Sequence, residues 1–299
     1  MNNSSFSEKL NNLNISFTEN EAMREHTTFR IGGPADYFIT VNNTHELINV
    51  INTCKEHEIK YMLIGNGSNL LIRDEGLRLA VIKLGGEFKE ISHEGDVIRC
   101  GAGVTLSKLC SYALQNSLSG LEFAFGIPGT VGGAVFMNAG AYGGEIKDVL
   151  LTSTHLTERG TLETVNSDCL NLDYRYSSYK DSGNIILFAE FKLTAGDKAE
   201  IKAKMDDFMN RRVTKQPLDF PSAGSVFKRP EGAFAGALIE NCGLKGFSVG
   251  GAQVSEKHSG FIINTGDATC EDVLNLVSVI QDKVKAETGF SLEREIILL

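Results

Sequence analysis

The chain has 299 residues, 42% of them hydrophobic and 22% charged, which is ordinary for a folded globular protein and excludes disordered and fibrous classes. Its length fits two domains or three small ones. The net charge of −9 disfavours nucleic acid and anionic lipid as partners. The first residues lack a signal-peptide pattern, and no stretch approaches the roughly 18 apolar residues of a membrane span. We therefore expect a cytoplasmic protein.

The first part of the chain predicts a strand, a helix and a second strand. The segment ADYFITV (35–41) alternates as strands do. The helix that follows has Thr44 as a candidate N-cap and carries Leu47 and Ile51 on one face. The strand YMLI (61–64) comes next. This order is typical of a βαβ unit, so we expect a parallel pair.

A second α+β region is predicted from residue 77, where short strand-like segments begin. A helix starting at Thr105 carries an apolar stripe, and a glycine-rich run follows it. The segment 184–194 alternates again and predicts a long strand.

The last third of the chain predicts a further unit. Residues 197–213 have helical spacing and end near Pro217, so we place a domain boundary near 205–217. A later helix is predicted to begin at Thr269, where the sequence matches a capping box, and to end at Gly289.

The six cysteines are scattered along the chain. None forms a CxxC pair or lies beside a histidine at the spacing of metal ligands. We therefore expect buried free thiols and no metal site.

Two loops, at 65–67 and 101–103, begin like dinucleotide-binding fingerprints. The third glycine of GxGxxG would fall at Leu70 and Leu106, and GxxxxGK[ST] occurs nowhere, so a Rossmann domain and a P-loop are disfavoured. The loop GNGSN (65–69) can still point consecutive backbone amides at an anion. A tight strand-to-strand turn explains it equally well.

The run GIPGTVGGAVFMNAGAYGG (126–144) contains seven glycines and no charged residue. Glycine is favoured where a backbone approaches a flat or phosphorylated ligand closely, and a run without charge suits burial against a large cofactor. A series of tight structural bends is the alternative.

Seven segments together resemble one protein family. They are TTFRIGGPADYF, IGNGSNLLI, GIPGTVGGAVFMNAGAYG, DYRYSSYK, SAGSVFKRP, GGAQVSEKHSGFIIN and LEREI. In order and spacing they are similar to the UDP-N-acetylenolpyruvoylglucosamine reductase (MurB) family, from about residue 27 to 296, and look like its shorter, type II branch.

The resemblance implies an α+β fold, with a two-subdomain FAD-binding region of the vanillyl-alcohol-oxidase (PCMH) type and then a substrate-binding α+β domain. The implied ranges are 1–76 and 77–205 for the subdomains and 206–289 for the substrate domain, with a C-terminal strand at 290–299 that returns to the second subdomain. Non-covalent FAD is expected on Gly65, Asn66, Gly67, Ser68, Asn69, Leu70, Gly126, Ile127, Pro128, Gly129, Thr130, Gly132, Gly133, Asn138, Gly140 and Ala141.

The implied reaction, in peptidoglycan precursor synthesis, reduces the enolpyruvyl group of a UDP-sugar to UDP-N-acetylmuramate with electrons from NADPH. Hydride passes from flavin N5 to C3, and Ser225 gives a proton to C2. Arg175 is expected to hold the carboxylate and developing enolate with its planar guanidinium, and Glu295 to polarise the same carboxylate. The alternatives are a surface salt bridge for Arg175, a turn or N-cap serine at 225, and Glu293 as the catalytic glutamate.

Three cations, Lys215, Lys228 and Arg229, are expected near the UDP diphosphate, with plain solvated charge as the alternative for Arg229. Many members of the family carry arginine where this chain has Ile297, so a flavin contact of that arginine is absent or replaced. We expect a monomer. The rival functions are a catalytically silent nucleotide-sugar-binding module and an FAD-dependent oxidase of another substrate on the same fold.

Overall fold

The computed structural model describes residues 3–299. Helices α1 to α7 span Asn3–Asn12, Thr44–Glu56, Leu106–Gln115, Val131–Phe136, Lys198–Lys215, Ala235–Asn241 and Cys270–Thr288. Strands β1 to β10 span Ser16–Ala22, Pro34–Val41, Tyr61–Ile64, Leu70–Leu71, Leu77–Leu84, Ile91–Glu94, Val97–Gly101, Leu118–Ser119, Gly140–Ala141 and Gly144–Glu145. Strands β11 to β19 span Leu150–Leu156, Leu162–Asn166, Ile185–Lys192, Thr194–Ala195, Ser222–Ser225, Ser248–Val249, Ala252–Val254, Phe261–Asn264 and Ile297–Leu298. Within residues 3–299, no helix is long and apolar enough to cross a membrane.

The larger sheets have the strand orders β1-β2-β5-β3, β12-β11-β13-β7-β6 and β15-β18-β17-β16. Helices and strands are mixed along the chain, which confirms the predicted α+β class. Short pairs join β9 to β10, β8 to β14 and β4 to β19.

Internal contacts divide the chain into two compact units. Unit 1 comprises the described residues up to Thr18, Tyr37–Gly65 and Leu79–Asn210; unit 2 comprises Glu19–Asp36, Asn66–Arg78 and Arg211–Leu299. Each unit has its own hydrophobic core. The break after Asn210 falls inside the boundary region predicted at 205–217.

Two expectations in unit 1 need correction. The N-cap of α2 is Asn43, whose side chain accepts a 2.9 Å hydrogen bond from the amide of Glu46, so the cap lies one residue before Thr44. Strand β5 lies between β2 and β3 in the sheet and pairs in parallel with β3. The predicted parallel pair of β2 and β3 is therefore wrong, because the strand that separates them comes later in the chain.

The predicted long strand is confirmed as β13. Its residues Leu187, Ala189 and Phe191 are buried, and it pairs with β11 on one side and β7 on the other. The sequence alternates between apolar and other residues here because one face of the strand packs into the core of unit 1.

In unit 2 the predicted capping box of α7 is confirmed. The side chain of Thr269 accepts a hydrogen bond from the amide of Asp272, and the carboxylate of Asp272 accepts one from the amide of Thr269. Gly289 ends the helix in the left-handed conformation, at φ 78°. The backbone bond that Asp272 accepts from Thr269 lowers the pKa of that carboxyl.

The C-terminal strand corrects another expectation. Strand β19 pairs in parallel with β4, with Ile297 opposite Leu70, so it does not return to residues 77–205. In addition, β5 joins the sheet of β1 to β3, so the first sheet continues beyond residue 76. The assignment of FAD and substrate to the three predicted ranges stays a prediction.

All six cysteines are free. Five are buried as expected, whereas Cys169 is exposed. Burial raises the pKa of the Cys54 thiol to about 12, so this side chain is a neutral part of the core.

Candidate functional site

The loop after β3 has the geometry of an anion-binding turn. Gly67 has a φ of 61°, and a Cβ added there would lie 2.2 Å from the carbonyl oxygen of His26, so only glycine fits. Within residues 3–299, the amides of Gly67 and Ser68 have no hydrogen-bond partner. Consecutive amides at a left-handed glycine are a common phosphate cradle.

The end of the same loop is tied to the C-terminal segment. Asn69 donates from its side chain to the carbonyl oxygen of Glu295 at 3.1 Å, and its own carbonyl accepts from the amide of Ile297 at 2.9 Å. Leu70 pairs with Ile297 in the ladder. Position 297 is therefore held against the predicted cofactor loop through its backbone.

The glycine-rich run leads into α4, which begins with Thr130 as its N-cap. The amides of Val131 and Gly132 donate to the carbonyl oxygens of Val104 and Ala102, at 2.8 and 2.9 Å, and are not available to a phosphate. Among the described residues, the amides of Gly129 and Thr130 have no such partner. The part of this run that can cradle an anion is thus narrower than predicted.

Other glycines of the run are required by close packing within unit 1, where a side chain would not fit. A Cβ at Gly144 would lie 2.7 Å from the ring of Phe123, and one at Gly140 would lie 2.7 Å from Cγ of Glu145. Gly65, in the loop after β3, packs closely against the run, because a Cβ there would approach Oγ1 of Thr130 to 2.4 Å. The packing interpretation of the run is therefore supported at Gly140 and Gly144, and the cofactor interpretation stays a prediction.

Arg175 lies in unit 1, on a tight turn between Asp173 and Tyr176. The amide of Tyr176 donates to the carbonyl oxygen of Asp173 at 3.0 Å, and Arg175 has a φ of 55°. Its guanidinium lies 5.0 Å from the ring centroid of Tyr174, and Nη2 donates to the carbonyl oxygen of Gly140 at 3.4 Å. The arginine is half-buried and held beside the glycine-rich run.

Ser225 lies in unit 2, at the end of β15. The ladder to β18 changes register between Ser222 and Ser225, and Gly224 has a φ of 77°, which together define a bulge. Such bulges redirect side chains and are common beside active sites. Ser225 therefore caps no helix: the next helix, α6, has Phe234 as its N-cap.

Glu295 also lies in unit 2, and the backbone brings it to the residue after Ser225. Its amide donates to the carbonyl oxygen of Val226 at 2.8 Å. Glu295 is half-buried, whereas the side chain of Glu293 is 73% exposed and forms an ion pair with Lys228. The two candidate carboxyls therefore differ in their surroundings: Glu293 is exposed and paired, whereas Glu295 is half-buried on the segment beside Ser225.

The three predicted substrate cations differ in their surroundings. Lys228 is neutralised by Glu293, and the guanidinium of Arg229 lies 4.0 Å from the ring centroid of Phe234. Lys215 ends α5 and is exposed, and within residues 3–299 it forms no ion pair. Lys215 is the most accessible of the three to an anionic ligand.

Sequence reasoning missed two of these features. Gly224 sets the bulge before Ser225, and the signal was the glycine in SAGSVF. Glu293 pairs with Lys228 because Phe227 and Arg294 form a bridge, a long-range contact with no local signal.

Comparison with known proteins shows which family this chain resembles. The family model for the C-terminal domain of UDP-N-acetylenolpyruvoylglucosamine reductase matches residues 216–299, and that for an FAD binding domain matches residues 35–166. The UDP-N-acetylenolpyruvoylglucosamine reductase of Alkaliphilus oremlandii is 50% identical over 276 residues, which are 92% of this chain and 91% of that protein. The chain belongs to the UDP-N-acetylenolpyruvoylglucosamine reductase family.

Two further members of the family are also similar to this chain, one in sequence and one in structure. The Clostridium botulinum (strain Eklund 17B / Type B) enzyme of this name is 48% identical over 93% of this chain and 91% of its own length. The crystal structure of UDP-N-acetylenolpyruvylglucosamine reductase (MurB) from Thermus caldophilus matches with a TM-score of 0.82 and 37% identity, over 95% of this chain and 98% of that chain. Both the predicted family and the predicted fold are confirmed.

The residues present fit an FAD. The cofactor carries a pyrophosphate, which accepts hydrogen bonds from backbone amides. Among residues 3–299, unit 2 offers the amides of Gly67 and Ser68 without a partner, and unit 1 separately offers those of Gly129 and Thr130. The left-handed Gly67, where a Cβ would meet backbone, is the kind of position at which a main chain can approach a ligand closely. Gly67 and Ser68 are candidates for holding the cofactor in unit 2, and Gly129 and Thr130 are candidates in unit 1.

Proposed function

We propose that this chain is an NADPH-dependent flavoenzyme that reduces UDP-N-acetylglucosamine enolpyruvate to UDP-N-acetylmuramate in peptidoglycan precursor synthesis. The observation that carries the proposal is the 2.8 Å hydrogen bond from the amide of Glu295 to the carbonyl of Val226. It joins the SAGSVFKRP and LEREI segments of the family inside unit 2, with Ser225 redirected by its bulge. A hydroxyl and a half-buried carboxyl on neighbouring segments suit proton transfer and carboxylate binding.

When bound, FAD supplies the redox chemistry between NADPH and the enolpyruvyl double bond. Arg175 holds the carboxylate of that group, because a planar guanidinium can bind it through two parallel hydrogen bonds and stabilise negative charge there. Glu295 hydrogen-bonds the same carboxylate in its protonated form. Ser225 holds the proton that C2 receives.

Ser225 needs assistance, since a hydroxyl is a weak acid. Lys228 is the nearby cation in the same segment, but it is poorly suited to that task because it forms an ion pair with Glu293. We assign the diphosphate contact to Lys215, whose charge is exposed at the end of α5. We assign no substrate contact to Arg229, whose guanidinium lies over the ring of Phe234.

The proposal also includes the cellular compartment and the oligomeric state of the enzyme. All six cysteines are free, as suits a reducing compartment, and we propose the cytoplasm. We propose a monomer, which light scattering on the purified holoenzyme checks directly. A mass of two chains would contradict it.

Anaerobic spectroscopy tests the function. The purified protein should be yellow, NADPH should bleach it, and the enolpyruvyl UDP-sugar should restore the colour. A colourless protein that FAD cannot reconstitute would support the silent module, and recolouring by another substrate alone would support the oxidase. Since the cradles at 65–70 and 126–141 contain no histidine or cysteine, acid precipitation should release all the flavin. A yellow washed pellet would contradict non-covalent binding.

A further inference from the structure

Asn138 was predicted to contact the cofactor, but its side chain is occupied within unit 1. The residue is fully buried, with an exposed fraction of 0%. Nδ2 donates to Oε2 of Glu145 at 2.8 Å and to the carbonyl oxygen of Asp173 at 3.0 Å, and Oδ1 accepts from the amide of Lys147 at 2.9 Å. Both donors of the side-chain amide are used, and so is its acceptor.

The carbonyl that Asn138 binds is the one that closes the turn of Arg175. The carbonyl oxygen of Asp173 accepts from Asn138 on one side and from the amide of Tyr176 on the other. Arg175 is the third residue of this turn and has a φ of 55°. That position favours glycine or asparagine, so an arginine there is strained and the surrounding structure must hold it.

Two more hydrogen bonds join the same two segments. Ser177, which is fully buried, donates from Oγ to the carbonyl oxygen of Phe136 at 2.7 Å. Nη2 of Arg175 donates to the carbonyl oxygen of Gly140 at 3.4 Å. Residues 136–140 and 173–177 are therefore fastened together along their length, and Asn138 provides the central link.

We propose that Asn138 is a positioning residue that fixes the strained turn of Arg175 against the glycine-rich run, and that its side chain does not bind the cofactor. The proposal rests on the function proposed above for Arg175. Under this proposal, residues 136–140 of the glycine-rich run influence the substrate-reducing step as well as the cofactor site. They do so because their hydrogen bonds to residues 173–177 set the position of the Arg175 guanidinium.

Asparagine suits this position for two reasons. One nitrogen must donate twice while the neighbouring oxygen accepts, which aspartate cannot do because its carboxylate has no donor. The backbone is also left-handed, with a φ of 41°, and asparagine tolerates this conformation better than other residues that carry a Cβ. Aspartate keeps the shape and the backbone tolerance, so Asn138→Asp removes both donors, but it also introduces a charge at a buried position.

The decisive variant pairs Asn138→Asp with Glu145→Gln. Asn138→Asp alone would place a second carboxylate beside Glu145 and could unfold the protein. In the double variant, the side-chain amide introduced at position 145 can donate to the carboxylate introduced at position 138, which restores that link, while the bond to the carbonyl oxygen of Asp173 is lost. The ion pair of Glu145 with Lys147 is lost both in this variant and in Glu145→Gln alone, so the single variant accounts for it. The controls are Glu145→Gln alone and Asn171→Asp, since Asn171 is also left-handed, at φ 46°, but is exposed.

Three measurements on the double-variant holoenzyme test the proposal. We expect FAD affinity and NADPH-driven bleaching to stay close to those of the wild type. Reoxidation by the enolpyruvyl UDP-sugar should slow by roughly 10²-fold, the effect of a catalytic group displaced by about 1 Å. Hydrogen exchange at the amide of Tyr176 should accelerate by roughly 5-fold, because the carbonyl that it binds has lost its anchor.

Other outcomes overturn the proposal. Weaker FAD binding with normal reoxidation of the bound flavin would make Asn138 a cofactor ligand. A parallel fall of both half-reactions and of thermal stability, or unchanged exchange at Tyr176, would leave it a general packing residue. The exchange measurement needs no substrate, so it tests the positioning role even if the wild type is not reoxidised by the UDP-sugar, which would refute the proposed function instead.

Discussion

The amide of Glu295 donates a 2.8 Å hydrogen bond to the carbonyl oxygen of Val226, the residue that follows Ser225. Two positions on, the amide of Lys228 donates to the carbonyl oxygen of Glu293 at 2.8 Å. Both bonds join backbone atoms, so they survive replacement of the side chains at 225 and 295. Variants at these two residues can therefore report on chemistry with little effect on the fold.

Ser225→Ala should retain bound FAD and NADPH-driven bleaching but slow reoxidation by the enolpyruvyl substrate by about 10² to 10⁴, the range for a lost general acid. Ser222→Ala, at the other end of the same strand, is the matched control and should behave like the wild type. Rapid mixing of the reduced enzyme with substrate gives the rate. A near wild-type rate in Ser225→Ala would remove this serine from the mechanism.

Arg175→Lys should keep FAD and lose most of the substrate step, because a point charge cannot reproduce two parallel hydrogen bonds. The expected loss is about 2.7 to 4 kcal/mol of transition-state stabilisation, the range for one electrostatic contact. Arg99→Lys is the control, since Arg99 also lies over an aromatic ring, that of Phe188. Equal losses in both half-reactions of Arg175→Lys would indicate a structural or shared binding role.

Gly67→Ala should weaken FAD binding strongly, since the new Cβ would lie 2.2 Å from the carbonyl oxygen of His26 and displace the turn that presents the free amides. Gly95→Ala is the matched control: Gly95 has a similar φ of 57°, but nothing lies within 4 Å of an added Cβ. That control should cost only the backbone strain of about 1 to 2 kcal/mol and leave the flavin bound. Equilibrium titration of the apoproteins with FAD compares the two, and equal affinities would refute the cradle at Gly67.

The buried His155 should make the stability of unit 1 fall in acid. Its Nδ1 lies 2.9 Å from the hydroxyl of Tyr179, and burial lowers its pKa below the usual value. The unfolded chain then binds the proton more readily, so the free energy of unfolding is highest above about pH 6.5 and decreases as the pH falls through and below that value.

His155→Gln keeps a partner for Tyr179 and removes the titration, so its loss of stability in acid should be smaller than that of the wild type. His258, whose pKa is also lowered by burial, still titrates in the same direction. Urea unfolding at about pH 7.5 and about pH 5.5 measures the difference. An identical loss in both proteins would show that His155 does not titrate on unfolding.

The tertiary structure determined the neighbours of each site residue. The strand that separates β2 from β3, the pairing of β19 with β4, and the ion pair of Lys228 with Glu293 all join segments far apart in the chain. The hydrogen bonds of Asn138 are of the same kind. A local pattern cannot specify such contacts, because they depend on how buried groups from different elements satisfy one another.

By itself, the sequence determined the helices and strands that have strong local patterns, and the family to which the chain belongs. The alternation of Leu187, Ala189 and Phe191 predicted β13, and Thr269 and Gly289 marked both ends of α7, because periodicity and capping act within a few residues. Seven ordered segments were enough to predict the family. Only the fold decided that Asn138 is buried against Asp173 and that Ser225 follows a bulge, since both depend on which carbonyl or strand lies opposite in space.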